Sequence, residues 1–140
     1  MFVAGILGAT GVAIGAFQAH GLEKLLVIRL VPTEDISHRL ELCSTGVRFQ
    51  LIHALALIVI SIVSFLRPTD RIWRAVGIGF CIGLLFFCGS LYMISIAGKQ
   101  SFAKFAPIGG VTLMASWFMV SIGAFCFSPA EQQATTTTET

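Results

Sequence analysis

Four long stretches of this chain carry no Asp, Glu, Lys or Arg, and that feature limits its fold more than any other. They cover residues 2–19, 51–66, 76–97 and 108–127. About 20 apolar residues, wound as a helix, cross the hydrocarbon layer of a bilayer. Inside that layer the backbone must satisfy its own hydrogen bonds, which a helix does within each segment. Composition agrees: hydrophobic residues are 56% of the 140 and charged residues 11%, with a mean hydropathy of +0.89. Soluble domains are about one-quarter charged. The sequence therefore predicts an all-α membrane protein, a four-transmembrane-helix bundle over 1–128 with spans near 2–19, 48–66, 74–97 and 108–127. A Gln/Thr/Glu tail over 129–140 has nothing to bury and is expected to be disordered.

Charge and cysteine usage exclude several classes. The net charge is +2, and the basic residues are scattered between spans, so no stripe exists to hold a nucleic-acid backbone. They act as topology signals instead. Lys24, Arg29, Arg39, Arg48, Lys99 and Lys104 fall in the first and third connections, against Arg67, Arg71 and Arg74 around the second. The positive-inside rule then puts both termini on the extracytoplasmic side. The cysteines at 43, 81, 88 and 126 form neither a Cys-x-x-Cys pair nor a zinc spacing. They read as small apolar packing residues, with no metal site or disulfide.

The first stretch lacks a basic start and a small-residue cleavage site, so it reads as a retained span rather than a signal peptide. Gly8, Gly11, Gly15 and Ala19 lie on one face at helical spacing. Bare backbone of this kind lets helices approach closely in lipid, which predicts a central first span. Gly21 is expected to end that helix. A new helix is expected from a Thr33 cap, with Glu34 and Asp35 in its first turn. Ile36, Leu40, Cys43 and Val47 line one side of it, the pattern of a short amphipathic interfacial helix between the first and second spans. A cap packed on the bundle ends would show the same pattern.

Pro68 closes the second span, and Trp73 is placed as an interface anchor. The third span shows two faces, one of Gly79, Gly83 and Ser90, the other of Cys81, Leu85, Cys88 and Tyr92. The fourth is entered through Pro107 and carries Gly109, Thr112, Ser116 and Gly123 on one stripe. Gly11, Gly15, Gly79, Gly83 and Gly109 are thus the candidate helix-packing positions.

Helix order brings His20, Gln50, His53, Ser90 and Tyr92 towards one membrane surface. These five make the candidate polar cluster. Gly-Ala-Phe-x-Ala-His-Gly-Leu at 15–22, Arg-Phe-Gln-x-x-His-Ala-Leu-Ala-Leu at 48–57, Gly-Ser-Leu-Tyr at 89–92, and Pro-Ile-Gly-Gly at 107–110 with Trp117 accompany it. Together these motifs resemble the small membrane family called domain of unknown function 423, also known as uncharacterised protein family 0382. Animal transmembrane protein 256 is a relative. The resemblance implies a four-helix integral membrane protein, mostly bacterial, with no established activity.

Three functions fit such a chain. The first is a structural or accessory bundle for other membrane proteins or lipids, as a monomer or a dimer, with the polar cluster bonding helix to helix. The second is a small-solute or proton transporter using His20 and His53, although no carboxylate lies within a span. The third is haem ligation or catalysis. Two histidines near opposite ends of one connection do not face each other as axial ligands. No triad, carboxylate pair or nucleotide loop occurs. The reading is therefore a non-enzyme in the bacterial inner membrane, without cofactor or metal, whose certain partner is the lipid bilayer.

Overall fold

The computed structural model describes residues 1–125, and among these every regular element is helical. α1 covers Phe2–Phe17 and passes through a π-helical turn, Gln18–Leu22, into α2, Glu23–Ile28. α3 covers Thr33–Leu66 and α4 covers Arg71–Ser95. A 3-10 segment, Gln100–Phe105, leads into α5, Ala106–Phe125. Among the described residues, four helical stretches are long and apolar enough to cross a membrane: Phe2–Ile28, Thr33–Leu66, Arg71–Ser95 and Gln100–Phe125. The end of the fourth span at 127, Cys126 and the 129–140 tail lie outside the described residues.

The first helix does not stop at Gly21. Its backbone stays helical and widens into the π turn, and the Phe17 ring lies over Gly21, where a Cβ would come 2.8 Å from Cδ2 of Phe17. Gly21 makes room instead of providing a left-handed cap. The chain reverses later, where Leu30 takes φ 55° and Val31 N–H bonds the Leu26 carbonyl at 3.1 Å. Pro32, not Thr33, holds the cap position of α3, and Glu34 and Asp35 fill its first turn.

The amphipathic stretch over 33–47 is helical, and it continues without interruption into the second span. α3 has 34 residues, about 51 Å at 1.5 Å per residue, against roughly 30 Å of hydrocarbon. The surplus forms a hairpin with α2 that buries its own core of Leu22, Leu26, Ile36 and Cys43. Arg29 ties this hairpin to the end of α4 by donating to the Ile96 carbonyl at 2.9 Å. Gly98, at φ 69°, ends α4 in the left-handed conformation, its N–H on the Ile94 carbonyl at 3.1 Å.

Packing runs from α1 to α3 to α4 to α5, and α4 is the most buried span. Phe80 and Val76 of α4 are fully buried in the main core, with Leu57 and Ile60 of α3 and Leu113 of α5. The first span is peripheral, which corrects the expectation of a central one. Gly11 and Gly15 admit Leu51 and Val47 of α3, while Gly8 meets nothing within 4 Å. One helix uses the glycine strip, and no Cα of α1 comes within 8 Å of one in α4.

The third span separates its two faces between two surroundings. Gly79 and Gly83 receive Ser116 and Leu113 of α5, whereas Cys81, Leu85, Cys88 and Tyr92 line a groove open between α4 and α1. A Cβ on Gly109 would come 2.8 Å from both the Gly83 carbonyl and the Phe87 Cα, so α4 and α5 touch backbone to backbone there. Trp73 is not an interface anchor. Only 5% of it is exposed, since Gly123 has no side chain and the indole fits against it, 3.1 Å from a Cβ placed there.

Candidate functional site

Two polar networks, both anchored on α3, engage the buried Gln50 and His53, while the buried Ser90, Ser95 and Ser116 donate to carbonyls of their own helices. Gln50 is 5% exposed and joins three helices. Its Nε2 donates to the Leu7 carbonyl and to Thr10 Oγ1 of α1, each at 2.8 Å. Its Oε1 accepts from the Tyr92 hydroxyl of α4, also at 2.8 Å. The amide orientation follows from its partners, since a backbone carbonyl accepts and never donates. Thr10 completes the network by donating to the Ile6 carbonyl at 2.8 Å. Two glycines make the space: a Cβ on Gly11 would lie 3.4 Å from Gln50 Nε2, and one on Gly46 would lie 2.7 Å from the Tyr92 ring.

His53, three residues along α3, is turned about 60° from Gln50 and reaches α5 instead. Its Nδ1 is 2.8 Å from the Phe49 carbonyl, and its Nε2 is 3.1 Å from Nε1 of Trp117 on α5. An indole N–H only donates, so Nε2 must be the acceptor and the ring proton must sit on Nδ1. This assigns the neutral Nδ1–H tautomer, with both nitrogens engaged. Aromatic rings surround it: Phe80 and Trp117 edge-on at 5.3 and 5.9 Å between centroids, and Phe49 stacked at 5.9 Å.

The five cluster residues therefore divide. Gln50 and Tyr92 are bonded partners, and His53 belongs to a second network. Ser90 is buried and donates to the Phe86 carbonyl of its own helix. His20 is exposed in the π turn. The antiparallel register of α1 and α3 pairs Met1 with Ser61, Gly11 with Leu51 and Gly15 with Val47. His20 therefore lies level with residue 42, eleven residues from His53, or about 16 Å along the axis. One polar corner becomes two interhelical bridges and an outlying histidine.

Thr10 and the donor role of Trp117 are absent from the sequence-based site. Thr10 is the sole hydroxyl within α1, which is the signal that could have found it. Among the described residues, no group of three or more His, Cys, Asp or Glu is placed to hold a metal ion.

The model for the family described as "Protein of unknown function (DUF423)" matches residues 14–110. A UPF0382 membrane protein of Staphylococcus saprophyticus is 34% identical over 124 residues, 86% of this chain and 94% of its own length. The Bacillus subtilis UPF0382 membrane protein YwdK is 32% identical over 85% of this chain and 93% of its own. The Escherichia coli UPF0382 inner membrane protein YgdD is 29% identical over 89% and 87%. No solved structure matches. With four apolar helices, two interhelical bridges and a match over most of its length, the chain belongs to the DUF423 family of UPF0382 membrane proteins.

Proposed function

We propose that the chain is a non-catalytic accessory bundle of the bacterial inner membrane, in which the buried polar residues hold helices together and do not process a substrate. The observation that carries this reading is the engagement of both His53 nitrogens and of the Gln50 amide in bonds that end on other protein groups. Such interhelical bonds contribute about 0.6 kcal/mol each in lipid. A proton or solute carrier needs side chains that can let go of their partners. His20 and His53 are also too far apart along the bundle to pass a proton directly.

The experiment compares wild type with His53→Asn, which keeps hydrogen-bonding capacity and cannot titrate. Vesicles containing either protein are expected to hold an imposed pH gradient as long as empty vesicles do. In a strain lacking the protein, the set of membrane proteins whose abundance falls is expected to recover with either version. Gradient collapse by wild type and not by His53→Asn would establish the carrier instead.

We also place the termini on the extracytoplasmic side, on the excess of Lys and Arg in the first and third connections. A cysteine at position 24 should then resist an impermeant maleimide in intact cells, and one at position 71 should react.

A further inference from the structure

Between α1 and α4 the bundle is open. A cavity of about 420 Å³ is walled by Val3, Leu7 and Ile14 on one side and Leu84, Leu85 and Cys88 on the other, with Gln50 at its floor. A second of about 540 Å³ shares Val3 and Cys81 with it and leads to the end of the bundle where α4 begins. Together they form one groove along α4. Its polar side chains are unevenly placed: Ser61, Ser64 and Arg74 stand at that end, and Leu57, Ile78 and Ile82 follow deeper.

We infer that this groove is a binding site for an anionic phospholipid, with the headgroup phosphate at Arg74 and one acyl chain lying between α1 and α4. The inference goes beyond the accessory reading and does not depend on it. Three observations select this occupant. The first is charge. Arg67 is 3.9 Å from Asp70, which is the one acidic residue at this end among the described residues. Arg71 and Arg74 add positive charge that it does not offset; of the three arginines Arg74 alone lines the groove, beside Met1, whose ammonium donates to Ser61 Oγ at 3.1 Å. The second is length. From Arg74 to Leu84 is ten residues of helix, about 15 Å, which is half the hydrocarbon thickness and so the depth of one leaflet. A chain starting at Arg74 ends just short of the polar floor at Gln50. The third is texture. In this groove Val, Leu and Ile side chains alternate with small residues such as Gly77, Cys81 and Gly89, an uneven apolar surface that a flexible acyl chain can follow.

The test uses the full chain in nanodiscs of equal parts phosphatidylglycerol and phosphatidylcholine with matched acyl chains, released and weighed by native mass spectrometry. Wild type is expected to retain one lipid per chain and to prefer the anionic one about fivefold, the contribution of one basic side chain at an anionic surface. Arg74→Gln, an exposed change, should lower the ratio severalfold, leaving the share that the Met1 ammonium contributes. Arg71→Gln should leave it unchanged. Cys81→Trp, which fills the groove, should lower retention of both lipids while leaving any residual preference intact. An equal ratio in wild type, a preference undiminished in Arg74→Gln, or one lost equally in Arg71→Gln would overturn the assignment. So would a wild-type dimer without lipid, which would put a second copy in the groove. The accessory reading is tested separately by the pH-gradient and abundance measurements and survives any of these results.

Discussion

Trp117 on α5 gives its indole proton to Nε2 of His53 on α3, 64 positions earlier in the chain, at 3.1 Å. No Cα of α3 comes within 8 Å of one in α5, so the two helices meet through side chains, this bonded pair among them. It also fixes the imidazole as the Nδ1–H form. In ¹⁵N spectra of imidazole-labelled protein, Nδ1 of His53 should therefore appear protonated and Nε2 as a hydrogen-bonded imine. Trp117→Phe keeps a ring in place and removes the donor, so the Nε2 signal should move towards that of a free imine. The expected stability loss is about 0.6 kcal/mol, near the mean for such bonds in lipid. A protonated Nε2 in wild type would contradict the assignment.

Gln50 and Tyr92 separate two kinds of loss. Tyr92→Phe deletes one interhelical bond and should cost about 0.6 kcal/mol in a detergent unfolding titration. Gln50→Leu deletes three bonds and leaves the Tyr92 hydroxyl without its acceptor, so its cost should be larger, about 2 kcal/mol. Equal costs would mean that the bridge from Gln50 to α1 through Leu7 and Thr10 contributes nothing.

Glycines of the same sequence type should respond in opposite directions. On Gly109 a methyl group would strike the backbone of α4 at Gly83 and Phe87, which no rotamer change relieves, so Gly109→Ala should cost roughly 1–3 kcal/mol. Gly89 has nothing within 4 Å of its missing Cβ. Gly89→Ala should be neutral or stabilise by up to about 1 kcal/mol through lower chain entropy in the unfolded state. The same unfolding titration reads both.

Two residues with positive φ give a paired test at the membrane ends. Leu30 holds φ 55° and Gly98 holds φ 69°, a region that costs a side-chain-bearing residue about 1 kcal/mol or more. Leu30→Gly should raise stability modestly. Gly98→Ala should lower it by about 1 kcal/mol, the more so because a methyl there would come 3.0 Å from Nη1 of Arg39. Matching losses for both changes would remove backbone strain as the cause.

The sequence by itself determined the class, the number of spans and the residues that cannot face lipid unpartnered. Uncharged runs of membrane-spanning length admit a helical solution, and that requirement is local to each run. The two faces of the third span were legible for the same reason, because helical periodicity is a property of one helix. Tertiary structure alone decided which neighbour each face receives. Gly11 and Gly79 look alike in sequence, yet one admits α3 and the other α5. It also placed the first span at the edge and left the groove open beside it. Gln50 and His53 are three residues apart and point to different helices, because a step of three turns a helix 60° short of a full circle. That angle is enough to divide one polar motif between two interfaces. Which partner waits at each depends on how the helices are laid side by side, and long-range packing sets that arrangement.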